Sequence, residues 1–166
     1  NSIKKNKKIT IIYRNKDIQE NKEDFYKFRK LCKLKKFKFY VSNQIKLFKA
    51  CRADGLYISS YNKKIYLNKN LKLIGSAHSF KEIAEKIKQG CKTIFLSRLF
   101  ETSYENKRGY LGVVKFNLII EKYNVSIVPL GGIRSSNLNK LNLVNSVGFG
   151  LLSETKKKPA IASRLF

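Results

Sequence analysis

The chain has 166 residues, of which 36 are Lys or Arg and 11 are Asp or Glu, for a formal net charge of +25. This length is enough for one domain with a buried core, and a hydrophobic content of 43% predicts a folded chain. No apolar run approaches the roughly 20 residues of a membrane-spanning helix, and no signal-peptide pattern is present. Three cysteines without a CxxC pair argue against a zinc ribbon or a disulfide scaffold, so we expect a reduced, cytoplasmic protein without a membrane partner.

The positive charge allows two interpretations. A strongly basic chain attracts nucleic acid. However, Lys, Asn, Ile, Phe and Tyr are all residues of A/T-rich codons, and a biased composition raises lysine everywhere. Nucleic-acid-binding proteins concentrate basic and aromatic residues on one face, whereas these lysines occur along the whole chain. We favour compositional bias and keep a nucleic-acid-binding module as an alternative.

Short β-branched or aromatic runs alternate with stretches of helical periodicity. In chain order we expect a strand at Ile9–Tyr13, a helix at Glu23–Lys36, a strand at Phe37–Val41, a helix at Gln44–Cys51, strands at Leu56–Ser59 and Leu71–Gly75, a helix opened by Ser79 and closed by Gly90, a strand at Thr93–Ser97, a helix at Val113–Tyr123, a strand at Ser126–Leu130, a helix at Asn137–Leu143, a strand at Ser146–Leu152 and a helix at Lys156–Leu165.

Two of these helices have a predicted apolar side. In the first, Ser79 and Glu82 form an S-x-x-E capping box. Its apolar stripe is expected to be Phe80, Ile83, Ala84 and Ile87. In the helix at Val113–Tyr123, the residues expected to point inward are Val114, Leu118 and Ile119.

Strands separated by helices predict right-handed βαβ units and a parallel sheet. Seven strands in a single domain of residues 1–166 fit either an open doubly wound sheet or a (β/α)₈ TIM barrel. The usual nucleotide-binding glycine motifs are absent, and a complete barrel needs more residues than this. A barrel that lacks its first βα unit at the N-terminus would explain the count.

Ligands of parallel α/β proteins bind beyond the carboxyl ends of the strands. The residues to consider there are Arg14, Lys16, Ser42, Asn43, Ser60, Asn62, Ser76, His78, the loop around Phe100–Thr102, Gly131, Gly132 and Ser153.

Three groups at these strand ends suit phosphate chemistry, and each has a plain structural alternative. Gly131-Gly132 can bring backbone N–H groups close to a phosphate, or can simply make a tight turn. Arg14 and Lys16 can bind an anion, or can be solvated surface cations. His78, the single histidine, can transfer a proton, or can satisfy a loop carbonyl.

Carboxylates are scarce, which bears on metal binding. The only aspartates are Asp17, Asp24 and Asp54, and Asp54 precedes its strand, at the opposite end from a ligand site. A Mg²⁺ site usually includes one or two carboxylates, so the sequence argues against an obvious Mg²⁺ site. We expect the three cysteines, which fall in or beside helices, to be buried structural thiols.

Several segments together, in this order and at this spacing, resemble the thiamine phosphate synthase/TenI family. The resemblance runs from about Thr10 to Ser153. The segments that carry it are IIYRNKD at Ile11–Asp17, RADGLYIS at Arg52–Ser59, IGSAHSFKEI at Ile74–Ile83, the stretch Thr93–Gly112, VPLGGI at Val128–Ile133 and VGFGLLS at Val147–Ser153.

The resemblance implies a (β/α)₈ barrel with about seven of its eight strands in this chain. Members of the synthase type join a hydroxymethylpyrimidine pyrophosphate to a thiazole phosphate, release pyrophosphate and use Mg²⁺. TenI-type members isomerise the thiazole phosphate. The implied partners are therefore small phosphorylated pyrimidines and thiazoles, and a homo-oligomer is compatible with the family.

On the pyrophosphate side the match with the family is uneven. Arg14 and Lys16 match the family's pyrophosphate-binding strand end. The family's N-D pair is Ser42-Asn43 here, so one metal carboxylate is missing, and Asn62 stands where the family has another. Lys107 lies near the position of a family lysine and is a further candidate for binding pyrophosphate.

On the thiazole side the match is better. The resemblance implies catalytic roles for Ser76 and His78, which match the family's S-x-H pair. It implies thiazole-phosphate binding by Thr102, Gly131, Gly132 and Ser153.

Three hypotheses follow. The first is a thiamine phosphate synthase-type transferase. The second is a TenI-like thiazole tautomerase, or a catalytically inactive binder of thiazole phosphate, because the metal carboxylates are missing. The third is the basic nucleic-acid-binding module.

Overall fold

A computed structural model describes residues 9–14, 22–68, 70–102 and 109–151 of the chain. Strands and helices alternate over most of these residues. In chain order the elements are β1 (Thr10–Tyr13), α1 (Lys22–Leu34), β2 (Lys38–Ser42), α2 (Ile45–Ala50), β3 (Gly55–Ile58), β4 (Leu73–Ala77), α3 (Phe80–Lys88), β5 (Thr93–Ser97), α4 (Gly112–Ile120), β6 (Ser126–Leu130) and a 3₁₀ helix, here called α5 (Ser135–Leu143).

The sheet decides between the two predicted architectures. The six strands within the described residues are all parallel, and their spatial order is the order of the chain, β1 to β6. A doubly wound sheet reverses its strand order at a switch point, whereas a (β/α) barrel adds each new strand to the same edge. The described strands therefore form a curled half-barrel of the TIM-barrel type, as predicted.

Alternate residues of each strand face opposite sides of the sheet. Ile11, Phe39 and Val41 pack against α1, together with Phe25 and Cys32 of that helix. The larger core cluster continues this helix-facing layer across β3 to β6. On the concave side, the residues that pack together are Ile12, Tyr40, Tyr57, Ile74 and Phe95. The strands therefore have hydrophobic residues on both faces, as strands of parallel barrels do.

The predicted strand Ser146–Leu152 is reduced, within the described residues, to one parallel bridge. Gly150 pairs with Leu130 of β6, and its N–H donates to Pro129 O at 2.9 Å. Val147 is 89% exposed, so the segment leading to the bridge contributes little to the core. Residues 152–166, which include the predicted helix at Lys156–Leu165, lie outside the described residues.

Helix α3 begins as predicted but buries a different side. The Ser79 hydroxyl accepts a 3.2 Å bond from the Glu82 N–H, which confirms the N-cap. Ile83 is buried, but the other three predicted stripe residues, Phe80, Ala84 and Ile87, are exposed. Lys86 takes the inward position and is fully buried. Its stem packs against Gly75 of β4, where a glycine leaves the room that it needs.

The prediction for α4 was also wrong in part. Val114 and Leu118, expected to point inward, are 75% and 57% exposed, whereas Ile119 is buried as expected. Phe116 is the second fully inward residue of the helix. The helix is apolar on several sides, so its periodicity does not single out the buried face. Within the described ranges, no helix is long and apolar enough to cross a membrane.

Two features at the other end of the strands are structural. The Asp54 carboxylate precedes β3 and accepts a 2.8 Å bond from the Phe39 N–H. Arg29 of α1 donates to the carbonyl of Arg52 at 2.8 Å and lies 3.7 Å from Asp54. These contacts fix α1 to the turn before β3, far from the strand ends where ligands bind.

The three cysteines, Cys32, Cys51 and Cys91, are free thiols, and all are buried as predicted. Burial raises the pKa of each thiol, to about 11 for Cys91. The thiolate is the nucleophilic form of cysteine, so these surroundings suit structural residues rather than nucleophiles.

Candidate anion-binding site at the carboxyl edge of the sheet

A pocket of about 810 Å³ opens at the carboxyl ends of the strands. In a curled parallel sheet these ends and the loops after them converge on one rim. The polar side chains lining the pocket are Arg14, Tyr57, Ser59, Ser60, Tyr61, Ser76, His78, Ser97, Arg98, Thr102, Tyr110 and Lys115. Among the described lining residues there are two arginines and a lysine but no Asp or Glu. The pocket therefore favours an anionic ligand.

The floor of the pocket consists of apolar side chains followed, nearer the rim, by serine hydroxyls. Ser59, Ser76 and Ser97 line the pocket, and each follows a concave-side residue (Tyr57, Ile74 or Phe95) by two positions. Because side chains alternate along a strand, each serine lies on the same face as the apolar residue before it, one step nearer the rim. This arrangement offers several hydrogen-bonding groups above a closed apolar layer.

Arg14 enters the pocket from the first strand. Its guanidinium carbon lies 5.8 Å from the centre of the Tyr57 ring. Tyr57 is on β3, so the arginine reaches across the concave face over the end of β2. A guanidinium stacked on an aromatic ring still points its N–H groups outward from its own edge, where they can bind an anion. The contact turns an otherwise exposed cation toward the pocket.

Gly131 and Gly132 form the opposite side of the pocket, after β6. Both have positive φ values, 89° and 72°, which glycine adopts without strain. A Cβ on Gly132 would collide with the backbone of Phe100, and a Cβ on Gly131 would lie 2.9 Å from Ser97 Oγ. Only glycine fits this turn, which presents bare backbone to the pocket.

Arg98 lies beside the glycine turn, at the end of β5. Its side-chain Cγ is 3.1 Å from the position that a Gly131 Cβ would occupy. Its Nη1 donates to the Thr102 hydroxyl at 3.2 Å. The pocket thus has a guanidinium, a hydroxyl and bare backbone together near Gly131, which is a suitable environment for a phosphate group.

His78 follows β4 and is exposed at the rim of the pocket. Its backbone N–H donates to Glu82 Oε2 at 2.6 Å. Glu82 therefore reaches back past the cap residue, and the capping arrangement fixes the backbone that carries the histidine. The imidazole is left at the pocket, where it can exchange protons with a ligand or with water.

Asn43 and Asn62 join two loops beside the pocket. Asn62 Nδ2 donates to Asn43 Oδ1 at 2.9 Å, and the Ser59 N–H donates to the same oxygen at 3.1 Å. The side-chain nitrogen of Asn43, Nδ2, donates to Ser59 Oγ at 2.7 Å and to the Tyr61 hydroxyl at 3.2 Å. Asn43 has a φ of 58°, a conformation that asparagine tolerates better than most residues. We call these four residues the amide clasp.

Helix α3 supports the clasp from the outer side. Lys86 Nζ donates to Asn62 O at 2.7 Å and to Gln89 Oε1 at 2.8 Å. The Gln89 amide nitrogen donates to Asn62 O and to Lys64 O, both at 2.9 Å. Burial lowers the pKa of Lys86. Lys86 of α3 and Gln89, the residue that ends the helix, therefore hold the backbone of a loop more than 20 residues away in the chain.

The structure brings most of the predicted site residues together. Seven of them line one pocket, as expected from the strand-end rule: Arg14, Ser60, Ser76, His78, Thr102, Gly131 and Gly132. Ser42 and Asn43 do not line it, although Asn43 bonds to Ser59 and Tyr61, which do. Lys16, Lys107 and Ser153 lie outside the described residues.

Sequence reasoning missed four pocket residues with clear chemistry. Arg98 directly follows β5 and was detectable from its place at a strand end. Tyr57 and Tyr61 belong to a segment that was considered for other residues. Lys115 lies on α4, and only the packing of that helix brings it to the pocket.

The described residues of the pocket do not fit a protein-bound Mg²⁺. Such an ion requires oxygen ligands, usually including carboxylates. The described part of the chain contains no cluster of three acidic, His or Cys side chains suited to a metal. At the positions where the resemblance would place metal ligands, the Asn43 and Asn62 side chains bond to each other.

Fold and site together define a (β/α)-barrel protein with an anion-binding pocket at the carboxyl ends of its strands. The profile of the family described as thiamine monophosphate synthase matches residues 3–155, nearly the whole chain. The chain belongs to this thiamine monophosphate synthase family, as its sequence predicted.

Individual relatives agree with the family assignment. A thiamine-phosphate synthase of Prochlorococcus marinus (strain AS9601) is 25% identical over 141 residues, which cover 82% of this chain and 40% of the relative. A thiamine-phosphate synthase of Clostridium acetobutylicum is 25% identical over 139 residues, covering 78% of this chain and 66% of the relative. The chain spans about two fifths of the length of the Prochlorococcus relatives that it matches.

The fold has a close counterpart among solved structures. A thiamine phosphate pyrophosphorylase from Pyrococcus furiosus superposes with a TM-score of 0.74 at 21% sequence identity. The match covers 93% of this chain and 77% of that one. At this identity the likeness establishes the barrel-type fold alone.

Proposed function

We propose that this chain joins a hydroxymethylpyrimidine pyrophosphate to a thiazole phosphate. The relatives that it matches are named as synthases of the product, thiamine phosphate. The observation that carries the proposal is a pocket with an anion-binding group at each side. Arg14 enters from β1, and the Gly131-Gly132 turn with Arg98 lies at the ends of β5 and β6. One pocket of about 810 Å³ has room for two small phosphorylated ligands.

In this proposal the thiazole phosphate binds at the glycine turn. Phosphate groups bind where backbone N–H groups and cations converge. The Arg98 guanidinium and the Thr102 hydroxyl supply side-chain donors beside the turn. The loops after the last strands of a barrel are also its common phosphate site.

The pyrophosphate of the second substrate binds at Arg14. As the bond between the two substrates forms, the bond to pyrophosphate breaks, and negative charge develops on the leaving group. A guanidinium held by the Tyr57 ring stabilises that charge without having to reorganise. The serines on the pocket floor orient the two ligands for the reaction.

A second candidate function is favoured by the amide clasp. Since Asn43 and Asn62 do not fit a metal ion, the pocket also suits a reaction that needs no pyrophosphate departure. A TenI-like tautomerase transfers a proton within the thiazole phosphate, and His78 at the rim is placed to act as the acid or base. Binding of thiazole phosphate without catalysis belongs to the same alternative.

The test of the proposed function is product formation. The chain is incubated with both precursors, in Mg²⁺ and in EDTA, and thiamine phosphate is measured by mass spectrometry. We expect product, and loss of product in the Arg14→Met variant. Failure to form product under either condition contradicts the synthase proposal.

The tautomerase is tested with thiazole phosphate alone. In that reaction His78→Ala is expected to lose activity while thiazole phosphate binding persists. Unchanged tautomerase activity in the variant excludes His78 as the acid or base.

The nucleic-acid alternative remains a hypothesis with a simple test. Exposed lysines occur on each of the helices α1 to α4 in the described part of the chain, for example Lys30, Lys46, Lys88 and Lys115. A dedicated nucleic-acid-binding face would concentrate lysines on one side of the protein, whereas these lysines are spread over several helices. Binding of unrelated RNA near physiological salt, with a steep salt dependence, would support the alternative.

A further inference from the structure

The amide clasp lies where two pocket loops meet, and the side-chain amides of Asn43 and Asn62 are both hydrogen-bonded. Asn43 Oδ1 accepts two hydrogen bonds, and Asn43 Nδ2 donates two. Asn62 donates through Nδ2 to Asn43 and accepts through Oδ1 from the Lys64 N–H at 2.9 Å. Asn62 O accepts from Lys86 and Gln89. The side-chain oxygens of Asn43 and Asn62, the atoms that would coordinate a cation here, therefore already accept hydrogen bonds.

The charges around the clasp also oppose a cation. Lys86 Nζ, fully buried, lies 2.7 Å from Asn62 O. On the pocket side, the charged lining side chains among the described residues are Arg14, Arg98 and Lys115, all of them basic. A divalent cation at the clasp would lie near several positive charges. No described carboxylate lines the pocket to offset them.

From these contacts we infer that the clasp replaces a divalent cation, so that the loops after β2 and β3 are held together and the pocket takes a pyrophosphate-class anion in its metal-free form. Two amides bonded to each other join the loops directly, as an ion would through shared ligands. The charge of the anion is then balanced by basic side chains, which among the described lining residues are Arg14, Arg98 and Lys115. This inference rests on the proposed function only in treating the pocket as an anion site.

The inference makes a prediction about carboxylates. Converting the pair to Asn43→Asp and Asn62→Asp removes the bond between the two amides and creates two facing carboxylates. Two like charges at hydrogen-bonding distance repel each other, and a divalent cation relieves that repulsion. The double variant should therefore bind Mn²⁺ at least about tenfold more tightly than the original chain, since ligand charge sets the affinity of such sites.

The experiment uses Mn²⁺ alone as the probe and follows the free ion by electron paramagnetic resonance. We expect the unmodified chain to leave millimolar Mn²⁺ free, and the double variant to bind one equivalent. Asn62→Asp alone, whose fold is checked by circular dichroism, provides a milder variant should the double variant not fold. The matched control is Asn139→Asp together with Asn142→Asp on exposed α5, which adds the same charge away from the clasp.

A second arm measures inorganic pyrophosphate binding in EDTA by calorimetry. We expect binding in EDTA that is lost in Arg14→Met. Three results overturn the inference: one-to-one Mn²⁺ binding by the unmodified chain that Asn62→Ala abolishes, absence of Mn²⁺ binding by both folded carboxylate variants, or pyrophosphate binding that disappears in EDTA. If these arms succeed while no thiamine phosphate forms, the proposed function fails and the inference stands.

Discussion

The guanidinium of Arg14 lies over the ring of Tyr57, 5.8 Å from its centre, across the concave face of the sheet. Arg14 follows β1 and Tyr57 lies in β3, so the pair spans the end of β2. This contact connects the end of β1 with the pocket, because it directs the exposed Arg14 side chain into it.

Replacing Arg14 with Met should weaken binding of inorganic pyrophosphate at least about tenfold, because a charge-assisted hydrogen bond contributes about 1.5–3 kcal/mol. Isothermal titration calorimetry measures the change. Arg52→Met is the matched control: it removes one positive charge at an exposed position at the other end of the strands. Equal losses in the two variants would mean that net charge, rather than this site, attracts the anion.

Replacing Gly132 with Ala should destabilise the fold and abolish phosphate binding at the turn. The new Cβ would collide with the backbone of Phe100, and the φ of 72° strains any L-side chain. We expect a loss of about 1–3 kcal/mol in the free energy of unfolding, measured by urea denaturation. Gly148→Ala is the control, because nothing lies within 4 Å of its Cβ position. A Gly132→Ala variant as stable as the control would contradict the turn geometry.

Lys86 should make the stability of the chain rise with pH. Burial lowers its pKa in the folded state, so the unfolded state binds more protons between the lowered and the ordinary value. Stability then increases as pH rises through that window. Urea denaturation of the chain and of Lys86→Met, from neutral to alkaline pH, isolates the contribution from the effect of net charge. The difference in unfolding free energy between the two should move in favour of the original chain as pH rises, and a constant difference would contradict the prediction.

The three thiols should be unreactive in the folded protein. Cys91 is 1% exposed, and its pKa is raised to about 11, so little thiolate exists near neutral pH. Titration with Ellman's reagent should detect the thiols of Cys32, Cys51 and Cys91 only after unfolding. Rapid reaction of any of the three in the native protein would contradict the described burial.

Local sequence signals predicted much of the fold. All six described strands begin and end within two residues of their predicted limits, because short apolar runs and the turns around them are set by neighbouring residues. The Ser79 cap was predicted from two residues in one turn. The sequential strand order required the structure, since both a barrel and a doubly wound sheet arise from alternating strands and helices.

The errors share one cause, which is contact between distant parts of the chain. Lys86 was not expected inside, because the carbonyl that accepts its Nζ hydrogen belongs to Asn62, 24 residues earlier. On α4, Val114 and Phe116 are equally apolar, and only the packing of the helix decides which is buried. Periodicity cannot distinguish such choices.

The candidate site was predictable only where it depends on strand ends and not on contacts between distant residues. Arg14, His78 and Gly131 were found because strand ends can be read from the sequence. That Asn43 and Asn62 bond to each other could not be read from it, since the two residues lie on different loops. The same holds for Lys115, which reaches the pocket from a helix.

In the proposed reaction, one pocket holds both phosphorylated halves at once. Calorimetric titration with thiazole phosphate, in the absence and in the presence of saturating inorganic pyrophosphate, tests it most directly. The account predicts that thiazole phosphate still binds with one-to-one stoichiometry when pyrophosphate occupies the Arg14 side. Mutual exclusion of the two ligands would contradict it, because a single anion site would then account for both.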